Sequence, residues 1–124
     1  MSDHLVFVYG SLKKGFHNNT VLGGAEFIGE DITLEHKFSM YSLGSYPAVI
    51  MGGTDSITGE LYRVNDEGFL RLDHLEGYPS FYDRIKVPTR ISKSGVWMYI
   101  INGERSLNYV SAHNKITGGT WLHK

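Results

Sequence analysis

Leu5-Val6-Phe7-Val8-Tyr9 runs straight into Gly10-Ser11-Leu12-Lys13-Lys14-Gly15. The first five residues are apolar, β-branched or aromatic without interruption, and so short a run bounded by glycine reads as a buried strand, not a helix. Gly10 ends it. A glycine here opens backbone conformations closed to other residues and lets a ligand approach without meeting a Cβ. Successive N–H groups of Gly10, Ser11 and Leu12 are thereby placed to converge into a concave site for a carboxylate or phosphate. The plain alternative is a turn, since glycine loops punctuate most folds. A nucleotide loop fits less well. Gly10 and Gly15 have the outer spacing of a Walker A motif, but Phe16 and His17 stand where that motif needs lysine and a hydroxyl residue.

The loop acquires a chemical meaning from a second segment, Leu72-Asp73-His74-Leu75-Glu76-Gly77-Tyr78-Pro79. From Asn65 to Glu76 the apolar positions Phe69, Leu70, Leu72 and Leu75 fall near helical spacing, with Asn65 or Asp66 as N-cap. Gly77 has the place of a C′ glycine, and Pro79 forbids continuation. Glu76 thus sits on the last turn, where the negative end of the helix dipole opposes a carboxylate. Desolvation and the dipole together would raise its pKa toward what proton transfer at neutral pH needs. The competing reading is an exposed helix-end glutamate.

Tyr9-Gly10-Ser11-Leu12-Lys13-Lys14-Gly15 with Asn18, then Tyr46-Pro47-Ala48-Val49, Gly59-Glu60-Leu61-Tyr62, Leu72-Asp73-His74-Leu75-Glu76-Gly77 and Tyr82-Asp83-Arg84 resemble the γ-glutamylcyclotransferase-like family. Gly118-Gly119-Thr120-Trp121 is similar to its closing Gly-x-Trp pattern, and the branch most resembled is the γ-glutamylamine cyclotransferases. The resemblance implies an α+β fold, a small, mostly antiparallel β-barrel with a few short helices. It also implies release of 5-oxoproline from a small-molecule γ-glutamyl amide. By the same resemblance Tyr9, Gly10, Ser11 and Leu12 bind the γ-glutamyl group, Glu76 is the catalytic base, and Tyr82 is a pocket residue. Arg84 is read as a structural hydrogen-bonding partner.

The implied chemistry suits sparse equipment. The substrate's own α-amine closes a five-membered ring on the γ-carbonyl, so no enzyme nucleophile is needed, and intramolecular geometry supplies up to about 7 to 11 kcal/mol. Two non-cyclotransferase readings stay open, a non-catalytic module for a carboxylate-bearing ligand and a phosphate-binding protein on the same loop.

Composition narrows the rest. The 124 residues suit one domain, 1–124. A formal net charge of −1 gives no global attraction to nucleic acid or an anionic membrane. Lys13 and Lys14 read as a solvated loop pair. With no charged N-region before an apolar core and no apolar run near about 20 residues, neither a signal peptide nor a membrane span is expected, and a cytoplasmic protein is the default. Absence of cysteine removes thiolate chemistry and zinc–sulfur sites. The six histidines (His4, His17, His36, His74, His113, His123) are scattered without a ligand motif, so no metal and no cofactor is expected. The sequence is silent on oligomeric state and on the amine released.

Turn signals divide the chain into further strands near 26–34, 37–43, 47–51 and 57–64, and a helical turn within 16–22. A hairpin of 81–91 with 96–101 is expected across Ser92–Gly95, ended by Asn102-Gly103. Most tyrosines, Trp97 and Trp121 are read as packing residues.

Overall fold

A computed structural model describes residues 3–16, 18–101, 108 and 114–122. Alternation along the first strand, β1 (Asp3–Val8), sets the architecture. Val6 and Val8 belong to one buried cluster, whereas Phe7 and the following Tyr9 belong to another. A strand covered on both faces needs apolar residues at every position, which is why this run shows no polar alternation. β1 is the middle strand of a five-stranded sheet ordered β2 (Glu26–Ile32), β5 (Thr58–Asn65), β1, β7 (Val96–Ile100), β6 (Asp83–Val87). β5 and β7 repeat the division, with Tyr62, Val64 and Tyr99 in the first cluster and Leu61, Met98 and Ile100 in the second.

The first cluster is completed by Phe69 and Leu72 of α1 (Asp66–Glu76) and by Leu22 of a one-turn 3-10 helix (Asn19–Leu22). The second is completed by Phe38, Met40 and Val49 from a three-stranded sheet ordered β4 (Pro47–Met51), β3 (Phe38–Ser42), β8 (Lys115–Ile116). β1 and β7 run parallel at Val6↔Trp97 and Phe7↔Met98, and the other named ladders are antiparallel. The chain is therefore α+β with mostly antiparallel strands.

A closed barrel ladder is not formed among the described residues. The edge strands β2 and β6 form no ladder with each other; the chain beyond β6 instead meets the end of β2, where Thr33 bridges Thr89, Arg90 N–H donates to Ile32 O at 2.9 Å, and Leu34 N–H donates to Pro88 O at 3.1 Å. Pro88 has no N–H with which to extend pairing, and the chain crosses to β2 from there. Asp31 Oδ1 secures the crossing by accepting Ile91 N–H at 3.1 Å. The hairpin strand expected over 81–91 is observed as Asp83–Val87, its C-terminal end set by this crossing, while 47–51 keeps the expected bounds. The β8 strand was not expected. Asn102-Gly103, Tyr109, His17, His113 and His123 lie outside the described residues. Among the described residues no helix is long and apolar enough to cross a membrane.

Candidate active site

β1 delivers Tyr9 to Leu12 to one end of the sheet, where Gly10 O accepts Lys13 N–H at 3.0 Å and closes a turn centred on Ser11 and Leu12. The glycine is required by packing: a Cβ at Gly10 would stand 2.7 Å from Pro47 Cδ and 2.8 Å from Pro47 Cγ. Asn18 holds the turn from outside, its N–H donating to Ser11 O and its Nδ2 to Ser11 Oγ, each at 2.9 Å. Asn19 Nδ2 donates to Leu12 O at 2.8 Å. The main-chain N–H groups of Ser11 and Leu12 donate to no acceptor among the described residues. The turn therefore leaves two main-chain donors uncommitted at the end of β1.

Lys13 corrects the reading of a solvated lysine pair. It is only 7 % exposed, its Nζ donates to Trp121 O at 2.7 Å, and the ammonium lies 4.6 Å from the centre of the Phe16 ring. Burial pulls its pKa down, opposed by the charges of Glu60 and Glu30. Lys13 therefore ties the loop to the C-terminal segment. Lys14 remains exposed over Phe27.

On α1, Asn65 Oδ1 accepts Gly68 N–H at 2.8 Å as the N-cap, and Gly77 ends the helix with a left-handed φ of 66°. Phe69 and Leu72 turn into the core, whereas Leu70 is 68 % exposed and has no part in the apolar face expected of it. Glu76, half-buried, lines a cavity of about 260 Å³ shared with Tyr9, Gly10, Ser11, Leu12 and Tyr82. All six residues named from the sequence therefore meet in one place. His74 is exposed and absent from the cavity wall.

The electrostatics of that wall set Glu76 apart. Burial pushes its pKa from the ordinary 4.5 to about 7, and it makes no side-chain hydrogen bond or ion pair among the described residues. Tyrosines surround it, yet they donate elsewhere. Tyr9 Oη–H goes to Tyr99 O at 2.7 Å, Tyr82 Oη–H to Pro47 O at 2.6 Å, and Tyr99 Oη–H to Asp73 Oδ1 at 2.6 Å. Burial and then the charge of Glu76 hold the Tyr9 phenol un-ionised; for Tyr99 burial leads and the bond to Asp73 follows.

Arg84 is structural, as expected. Its Nε donates to Asp73 Oδ1 at 2.9 Å and its Nη2 to Oδ2 at 3.2 Å, with the guanidinium 4.2 to 4.7 Å from the ring centres of Tyr78, Phe69 and Trp97.

Residues 6–123 match the family described as gamma-glutamyl cyclotransferase, AIG2-like. The chain belongs to this γ-glutamylcyclotransferase family. A Vibrio cholerae relative with a provisional γ-glutamylcyclotransferase name is 34 % identical over 121 residues, 98 % of this chain and 97 % of its own. A Methanocaldococcus jannaschii relative, likewise provisionally named, is 43 % identical over 100 residues, 76 % of this chain and 81 % of its own. Among solved structures, an uncharacterized protein from Pyrococcus horikoshii superposes with a TM-score of 0.75 at 25 % identity, covering 94 % of this chain and 88 % of that one.

In this family member, Asn18, Tyr46, Leu75, Phe81 and Tyr99 also line the cavity and were not singled out as site residues from sequence. Asn18 and Tyr46 carry a usable signal, since both fall inside the family-like runs. Tyr99 carries only strand periodicity, which places it beside Trp97 and Ile101 on one face of β7.

Proposed function

We propose that this γ-glutamylcyclotransferase family member acts on γ-glutamyl amines, releasing 5-oxoproline and a free amine, with Glu76 as general base and then general acid. The observation that carries the reading is a half-buried carboxylate with no protein donor and a pKa near 7, facing the Gly10 turn across one cavity. An α-amine titrates near about 8, so a carboxylate lifted to about 7 is a far better matched base than an exposed one. In the step itself the α-amine nitrogen bonds to the γ-carbonyl carbon and the bond to the leaving nitrogen breaks. Glu76 takes the proton from the attacking nitrogen and returns it to the departing one.

Tyr9, Gly10, Ser11 and Leu12 hold the γ-glutamyl part, with the Ser11 and Leu12 N–H groups available to an oxyanion or carboxylate. Tyr82 shapes the wall through its bond to Pro47. Incubation with a panel of γ-glutamyl amines and γ-glutamyl dipeptides, followed by mass spectrometry of 5-oxoproline and freed amine, tests the reading. Release from the amines supports it. Tight binding of γ-glutamyl compounds without 5-oxoproline returns the chain to a non-catalytic binding module, and competition by phosphate compounds alone to a phosphate-binding protein.

A further inference from the structure

Glu76 is ringed by possible hydrogen-bond donors and accepts from none of them. The cavity wall carries Tyr9, Tyr46, Tyr82 and Tyr99, and a phenol has a single proton to give. Three of those protons are committed, to Tyr99 O, Pro47 O and Asp73 Oδ1. Main-chain carbonyls hold the first two. The third is held by a side chain, Asp73, one helical turn before Glu76 on α1, so Tyr99 is the donor whose direction a side chain decides. Asp73 is itself fixed by the two-point bond from Arg84, and Arg84 is wedged between the rings of Phe69, Tyr78 and Trp97. Both partners are largely covered, at 17 % and 16 % side-chain exposure, so the pair is well shielded from solvent.

We propose that Asp73, held by Arg84, is a positioning residue that commits the Tyr99 hydroxyl to itself and so leaves the Glu76 carboxylate without a protein donor. The inference rests on Glu76 being the proton acceptor of the reaction. A hydrogen bond donated to a carboxylate favours its charged form and makes it a weaker base. Tyr99 lines the same cavity as Glu76, so its hydroxyl, once released from Asp73, becomes a donor on the wall that Glu76 shares. Among the described residues, the titratable groups sharing the cavity wall with Glu76 are Tyr9 after β1, Tyr46 before β4, Tyr82 before β6 and Tyr99 on β7; Asp73 on the same helix and Arg84 on β6 are bonded behind Tyr99, and His74 and Tyr78 flank Glu76 along the chain.

The test is the titration of the Glu76 carboxyl carbon by NMR in glutamate-labelled protein, assigned with Glu76→Gln and independent of turnover. Asp73→Asn removes the charge but keeps an acceptor for Tyr99; Asp73→Ala removes both. The Glu76 midpoint in Asp73→Ala is expected about one pH unit below that in Asp73→Asn, the scale of one donated hydrogen bond. Adding Tyr99→Phe to Asp73→Ala restores the Asp73→Asn value. Equal midpoints in the two single variants, or no restoration by Tyr99→Phe, overturn the proposal. Should Asp73→Ala not fold, Tyr99→Phe alone decides: an unchanged midpoint supports the commitment to Asp73, and a rise of about one unit shows that the hydroxyl was bonded to Glu76 and overturns it. Midpoints that move as expected in a protein releasing no 5-oxoproline leave the positioning intact and remove the reaction.

Discussion

Replacing Glu76 with Gln is expected to make the protein more stable at high pH while suppressing the proposed activity. A carboxyl lifted from 4.5 to about 7 keeps its proton in the fold over a range where the unfolded chain has lost it. Between those values the folded state binds more protons, so wild-type stability falls as pH rises. At about 1.4 kcal/mol per unit the difference reaches about 3.5 kcal/mol above pH 7 and vanishes below 4.5. Glutamine has nearly the same shape and no such dependence. Urea unfolding of both proteins from pH 4 to 9 is therefore expected to give a stability gap near zero at the acid end. The gap opens through the interval and levels off above neutrality in favour of the variant. Partial exposure of Glu76 makes about 3.5 kcal/mol an upper figure. A gap independent of pH, or a variant less stable than wild type at pH 8, refutes desolvation as the origin of the raised pKa, because the charged form would then be stabilised by its surroundings.

In activity, kcat/KM for a γ-glutamyl amine is expected to rise with pH through about 7 as Glu76 ionises, and a pH profile beginning near pH 4.5 would exclude it as the titrating base. Gly10→Ala sets a methyl 2.7 Å from Pro47 Cδ and is expected to destabilise by about 1 to 3 kcal/mol in thermal unfolding and to raise KM. Tyr82→Phe leaves Pro47 O without its 2.6 Å donor, with an expected loss of about 1 to 2 kcal/mol in denaturant titration. Lys13→Met removes the ammonium held on Trp121 O, and faster hydrogen exchange at Lys115 and Ile116 is the expected consequence.

The parts of this fold legible in the sequence are those whose causes are local. Asn65 and Gly77 cap α1 through contacts within a few residues, and the unbroken apolar run of β1 follows from burial on both faces. The site was legible where the family-like runs carried it, so Tyr9 to Leu12, Glu76 and Tyr82 fall on one cavity. Long-range causes were not. Lys13 looks solvated until Trp121 O, 108 positions away, is brought against it. The need for a glycine at position 10 comes from Pro47, and the early end of β6 from the pairing of Arg90 with Ile32. Leu70 keeps helical spacing but lies outside the arc that meets the sheet. Tyr99 has no local mark beyond strand periodicity, because its meaning depends on Asp73 and Arg84 from two other elements.

The decisive experiment is turnover of a γ-glutamyl amine in heavy-oxygen water by wild type and Glu76→Gln, read by mass spectrometry. Wild type is expected to yield unlabelled 5-oxoproline and one equivalent of amine, and Glu76→Gln to be slower by about 100-fold or more. Heavy oxygen appearing in free glutamate, or undiminished 5-oxoproline release by the glutamine variant, would contradict ring closure driven by Glu76.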